Sequence, residues 1–269
     1  MIFIDSKINF DMHFPGIPII FLHAFPLNHQ MWQPQMEFLR ARNIGYIAPD
    51  LPGFGKSPLL RAILNMEIYT EDLMLLIKQL HIKKAVFIGL SMGGYIAFSL
   101  FRKSPDIFAG LVLANTRAAA DDEPGRLRRL SMIHNLSETK DPRPIYEQHL
   151  IKFFTSKTGE ENRDLIEFTH RLMGESTLAG IVSAQQAMAS RSDAFDLLPL
   201  MSFPVLLIAG SRDELTTVED AKRMAENLPD SELKIIDEAA HLSNLEKPEL
   251  FNSFLSEYLE KLNVTRPDR

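Results

Sequence analysis

Short apolar runs alternate with longer amphipathic ones along most of the chain. "IPIIFL" (17–22), "GYIAP" (45–49), "AVFIG" (85–89), "LVLAN" (111–115), "VLLIAG" (205–210) and "LKIID" (233–237) are apolar at consecutive positions and short. That is the pattern of strands covered by helices on both faces. Residues 2–14 alternate weakly and predict an antiparallel hairpin at a sheet edge. Tyr69, Leu73, Ile77 and Leu80 recur at helical spacing, as do Phe251, Phe254, Leu255 and Tyr258. These segments predict helices that bury one stripe. Together the runs predict an α/β domain, a mostly parallel central sheet flanked by helices.

The alternation breaks once. From Arg117 to Phe195 there is no strand pattern; charge clusters such as "DDEPGRLRR" (121–129) are followed by helical patterns in "DLIEFTHRLM" (164–173) and "AGIVSAQQAMA" (179–189). A helical cap over 117–195 is expected, inserted into a core made of 1–116 and 196–269. Asp121, Asp122, Glu123, Arg126, Arg128 and Arg129, then Glu160, Glu161, Arg163 and Asp164, predict a solvated outer face for that cap. The tail "NVTRPDR" (263–269) is expected to fray.

Composition narrows the partners. A chain of 269 residues fits one such domain with its insertion. Its net charge of −6 leaves no basic surplus for a phosphate backbone, so nucleic acid is not an expected partner. The absence of cysteine excludes disulfides, thiolate nucleophiles and thiolate metal sites. Asp5, Lys7 and Asp11 interrupt the first apolar stretch before a signal-peptide core, and no later run approaches a membrane span. A cytoplasmic protein without a membrane partner is the expectation. No His/carboxylate cluster has metal-ligand spacing and no dinucleotide fingerprint occurs, so no metal and no organic cofactor are expected.

One stretch carries chemistry. "KKAVFIGLSMGGYIAFSLF" (83–101) places Gly89-Leu90-Ser91-Met92-Gly93 between a predicted strand and a predicted helix. This is the G-x-S-x-G context of a nucleophile elbow, in which a tight turn lifts a serine hydroxyl above the sheet. The flanking residues must lack side chains for the turn to close, a need Gly89, Gly93 and Gly94 meet. The following helix start would aim free N–H groups at charge developing beside the serine.

Serine needs a base and an orienting acid, which follow it in the order acid, then histidine. His13, His23, His29 and His81 precede Ser91, while His134, His149 and His170 lie in the predicted cap, where helix-face roles are expected. His241 alone follows the last predicted strand. Asp213 stands just past the strand at 205–210, at the same carboxyl edge. Asp237 is the nearest rival but sits too close in sequence to His241 for an easy fold-back. Asp193 and Asp196 read as helix caps or solvated charges.

"LHAFPLNHQMW", "APDLPGFGKS", "GLSMGG", "AGSRDELT" and "AAHLSNLEKPELF" resemble, in order and spacing, the signature segments of the α/β-hydrolase superfamily. The likeness covers nearly the whole chain outside the cap and is greatest to small serine esterases, cofactor-free haloperoxidase-type perhydrolases and enol-lactonases. "HLSNLEKPE" leans toward the last. It implies an α/β-hydrolase fold and an oxyanion hole formed by the backbone N–H groups of Phe25 and Met92. Ala24 stands where the superfamily usually has glycine, so a positive φ there would strain the loop. His23 reads as a buried, hydrogen-bonded loop former. "DLPGFGKS" (50–57) lacks phosphate-loop spacing and reads as turns. Phe25 and Trp32 are candidate substrate-binding residues.

The expected activity is hydrolysis of small carboxylic esters or lactones, with Ser91 as nucleophile, His241 as base and Asp213 as orienting acid. Carbon–carbon bond hydrolysis, thioester hydrolysis and perhydrolysis on the same residues stay open, as does a non-catalytic small-molecule binder of this fold.

Overall fold

The computed structural model describes residues 7–13 and 16–263. Its strands are β1 (Phe10–His13), β2 (Ile19–Leu22), β3 (Tyr46–Pro49), β4 (Ala85–Leu90), β5 (Phe108–Ala114), β6 (Val205–Gly210) and β7 (Ser231–Ile236). They form one sheet in the order β1-β3-β2-β4-β5-β6-β7, with β1 antiparallel and every other pairing parallel. The two sequence ends of the expected 2–14 hairpin lie outside the described residues; its described part, β1, pairs with β3. The expected fraying of the tail falls on residues 264–269, also outside them.

Before the cap come α1 (Gln33–Ala41), α2 (Met66–Gln79) and α3 (Met92–Lys103). α2 starts where the Asn65 side chain accepts from Ile68 N, and it buries Tyr69, Leu73 and Ile77 as the spacing predicts. Each such side chain contributes about 1.5–3 kcal/mol of apolar burial. Between β5 and β6 lie α4 (Glu123–Thr139), α5 (Arg143–Phe153), α6 (Ser156–Glu161), α7 (Arg163–Gly174) and α8 (Leu178–Ala189). α8 docks on the 50–57 turn, where Thr177 N and Oγ1 both donate to Gly53 O at 3.0 and 3.1 Å. Past β6 come α9 (Val218–Ala225), α10 (Ser243–Glu246) and α11 (Pro248–Lys261).

β2, β3, β4 and β6 are buried at every position, as strands covered on both faces should be. β7 departs from that reading. It is the edge strand, its Ile235 is exposed, and Lys234 on it pairs with Glu232 and Glu257. Charge on an edge discourages further strand pairing.

Candidate active site

Parallel pairing delivers the ends of β2, β4, β5, β6 and β7 to one edge. The register aligns Leu22 with Gly89, Gly89 with Leu113, Ala114 with Ile208 and Gly210 with Ile236. Loops leaving these positions carry His23 to Trp32, Ser91, Asn115, Asp213 and His241.

Ser91 joins β4 to α3 with φ 54°, a left-handed conformation that costs a residue with a Cβ on the order of 1–3 kcal/mol. The surroundings impose it. Ser91 N donates to Ala114 O at 3.1 Å, and Ser91 O accepts from Thr116 Oγ1 at 2.8 Å. A Cβ on Gly93 would lie 2.0 Å from Leu22 O, and one on Gly89 would lie 2.5 Å from the Gly93 carbonyl. Only glycine fits at either point.

His241 and Asp213 meet at the same edge. His241 Nδ1 is 2.8 Å from Asp213 Oδ2, and both side chains are almost wholly buried. A proton on Nδ1 donated to that oxygen leaves Nε2 as the basic nitrogen. The Asp213 carboxylate also accepts from Leu215 N, Thr216 N, Thr216 Oγ1 and Asn115 Nδ2, at 2.7–3.1 Å. Burial alone would push Asp213 up, but the charge and hydrogen bond of His241, with hydrogen bonds from Asn115 and Thr216, hold it below the ordinary carboxylate range. The Phe153 ring lies parallel to the imidazole at 5.8 Å. Among the described residues no hydrogen bond joins the Ser91 hydroxyl to His241. Ser91 and His241 instead border one cavity of about 550 Å³, with Phe25, Tyr95 and Phe153 on its walls.

A family model described as serine aminopeptidase, S33 matches residues 18–248. The chain belongs to this family. It is an α/β hydrolase. It is 29% identical over 244 residues to 3-oxoadipate enol-lactonase 1 of Acinetobacter baylyi, an alignment covering 91% of this chain and 89% of that protein. Its fold superposes with TM-score 0.90 on a malate-bound thermophilic esterase from Thermogutta terrifontis, 33% identical, over 95% of this chain and 93% of that one. A bromoperoxidase from Bacillus anthracis, 23% identical, shares the fold with TM-score 0.84 over 94% and 95% of the two chains. Among the described residues of the hydrolase, no helix is long and apolar enough to cross a membrane.

The structure brings Ser91, Asp213, His241, Phe25 and Met92 to one place and leaves Trp32 elsewhere. The Trp32 ring is fully buried, packed 4.9 Å from Phe21 and 6.1 Å from Phe251, and does not border the cavity. It is a core residue, because the turn before α1 points it at the sheet. Ala24 escapes strain: its φ is not positive, and its N–H meets Met31 Sδ at 3.2 Å. His23 is buried, with Nδ1 at 2.9 Å from Ala24 O and Nε2 accepting from Leu51 N; burial lowers its pKa to about 4. Asp237 takes the Ser211 hydroxyl and Asp196 pairs with Arg102, so neither approaches His241.

Four features of the hydrolase escaped the sequence reading. Asn115, φ 43°, sits between the Asp213 carboxylate and the Ser243 hydroxyl; a polar residue closing an apolar strand was its only trace. His149 borders the cavity with its ring 5.3 Å from Phe25, and Glu246 ties the histidine loop to the cap by accepting from Ala240 N, Thr155 N and Thr155 Oγ1 at 2.6–2.8 Å. The fourth is a correction to the solvated outer face. Asp122, Glu123, Arg126, Arg128, Glu160, Glu161, Arg163 and Asp164 are exposed, but the Asp121 side chain is 2% exposed and Arg129 19%, and both border the cavity. Asp121, which precedes α4, and Arg129 on it turn inward because they pair with each other, Asp121 also meeting Arg117 and Arg191.

Proposed function

We propose that this hydrolase cleaves small carboxylic esters or lactones through an acyl-enzyme on Ser91. The observation that carries the reading is the His241–Asp213 pair, bonded at 2.8 Å in the wall of the cavity that Ser91 enters. His241 Nε2 removes the Ser91 proton as Oγ attacks the carbonyl carbon. The oxyanion so formed accepts hydrogen bonds from Phe25 N–H and Met92 N–H, neither of which has a hydrogen-bond partner among the described residues. The carbon–oxygen bond to the leaving group breaks as the imidazolium returns the proton to it. Water, deprotonated by His241, then attacks the acyl carbon, and the Ser91–acyl bond breaks to release the acid. Asp213 fixes the tautomer and stabilises the imidazolium. No step of this scheme requires a metal or an organic cofactor. The esterase and enol-lactonase names among its relatives support the same reaction class.

Purified protein assayed on a p-nitrophenyl ester series and on small lactones tests this. Ser91→Ala is expected to lower kcat by about 10⁴-fold or more with folding intact, and to abolish labelling by a fluorophosphonate. Within a cavity of about 550 Å³, kcat/KM is expected to fall once acyl chains pass about eight carbons, since later methylenes gain no burial. Activity that survives Ser91→Ala, or faster cleavage of palmitoyl than butyryl esters, contradicts the proposal.

A further inference from the structure

The cavity that holds Ser91 is bounded on the cap side by charges that ester cleavage does not use. The Asp121 carboxylate accepts from Arg117 Nη2 at 2.6 Å and lies 2.9 Å from Arg191 Nη1, while its second oxygen accepts from Arg129 Nε at 2.5 Å. Three cations meet one anion. Two positive charges are left unbalanced inside a chain whose net charge is −6. Burial would push Asp121 up, yet the guanidiniums of Arg129 and Arg191 outweigh it and hold its pKa at about 2, so the aspartate is already fully ionised at neutral pH.

The cluster is also short of acceptors. The Nε–H groups of Arg117 and Arg191 and the Nε2 amide of Gln185 are buried donors without a partner among the described residues. Gln185 Oε1 is already taken by Arg129 Nη1 at 2.9 Å. Unpaired buried donors are uncommon and call for an explanation. Arg117 and Arg129 border the cavity together with Ser91 and His241, with 28% and 19% of their side chains exposed. At the rim stand Arg128 and Lys152, both exposed and with no carboxylate partner among the described residues. Against them the rim sets the exposed Glu214.

We propose that this wall is a carboxylate subsite, so that the substrate is an ester or lactone carrying a second, ionised carboxyl group received by Arg117 and Arg129. The inference rests on the ester or lactone reading of Ser91. A guanidinium offers parallel N–H donors that match a carboxylate, and a salt bond of that kind is about twice as strong as a neutral one. Arg128 and Lys152 raise the local concentration of anions at the entrance.

The test compares kcat/KM for monomethyl glutarate and methyl 4-carbamoylbutanoate, which share the scissile methyl ester and chain length but differ in carboxylate against carboxamide. A second pair, acetylglycolate and acetylglycolamide, places the same difference on the alcohol side. The acid is expected to be preferred about tenfold or more in one of the pairs at low ionic strength. The preference should shrink several-fold at about 0.5 M salt and approach one in Arg129→Gln. Each ratio is taken within one preparation, so partial misfolding lowers both members alike. R128Q/K152Q repeats the measurement at exposed positions and should lower the ratio by a smaller factor. Equal rates within both pairs, a preferred amide, or an unchanged ratio in both variants overturns the proposal. Turnover that persists in Ser91→Ala overturns the reading of Ser91 instead, whatever the ratio.

Discussion

The serine turn and the cap wall border one cavity, and different forces shape them. The turn is fixed by exclusion: a methyl on Gly93 would meet Leu22 O at 2.0 Å, so no other local geometry closes. The wall is fixed by attraction, through three guanidiniums drawn onto Asp121. Steric exclusion does not respond to salt, and the position of the Ser91 hydroxyl inherits that indifference. Coulombic attraction does respond, so the wall can be altered by a single charge change without touching the turn.

Asp121→Asn gives the largest expected effect. It keeps the shape and leaves three guanidiniums without their anion, which should lower the unfolding free energy by about 3–5 kcal/mol, with partial recovery in added salt. Urea unfolding at low and high salt checks it; a loss below about 1 kcal/mol would mean the cluster is solvated. Gly93→Ala comes next, at about 2–3 kcal/mol, with the same loss at both salt concentrations. Calorimetry that finds an unchanged Tm would show the turn has room for a methyl.

Protonation should treat the two regions alike, which sharpens the contrast with salt. His23 beside the turn and His149 in the cap are both lowered to about 4, chiefly by burial. Their folded pKa lies below the ordinary 6.5, so the folded protein binds fewer protons. Stability is complete above pH 6.5 and is lost as pH falls toward 4. Each ring should remove about 1 kcal/mol between pH 6.5 and 5.5. Urea midpoints at those two pH values measure it, and a flat response would mean the rings are already solvated.

The serine turn was legible because its demands are local: Gly89, Ser91 and Gly93 lie within five positions, and the clash each glycine avoids is with the turn or the neighbouring strand. Asp213 and His241 were legible because parallel strands send their carboxyl ends to one edge. The cap wall was not. Arg117, Asp121, Arg129 and Arg191 come from the end of the β5 loop, α4 and the far side of α8, and a charged residue on a helix looks the same facing solvent or a cavity until the partner helix is placed. Trp32 misled for the converse reason, since an aromatic in the segment after β2 fits a pocket and a core equally well in sequence.

Glu246 has a mechanical consequence. Its carboxylate holds Ala240, next to His241, and Thr155, just past α5, while Leu242 N donates to Phe153 O at 2.9 Å. The end of α5 and the histidine loop are therefore one stitched piece. Any widening of the cavity that keeps these bonds has to move its other walls, α4 among them, and leave the end of α5 with the histidine loop. The doorway can change its width while the imidazole keeps its aim.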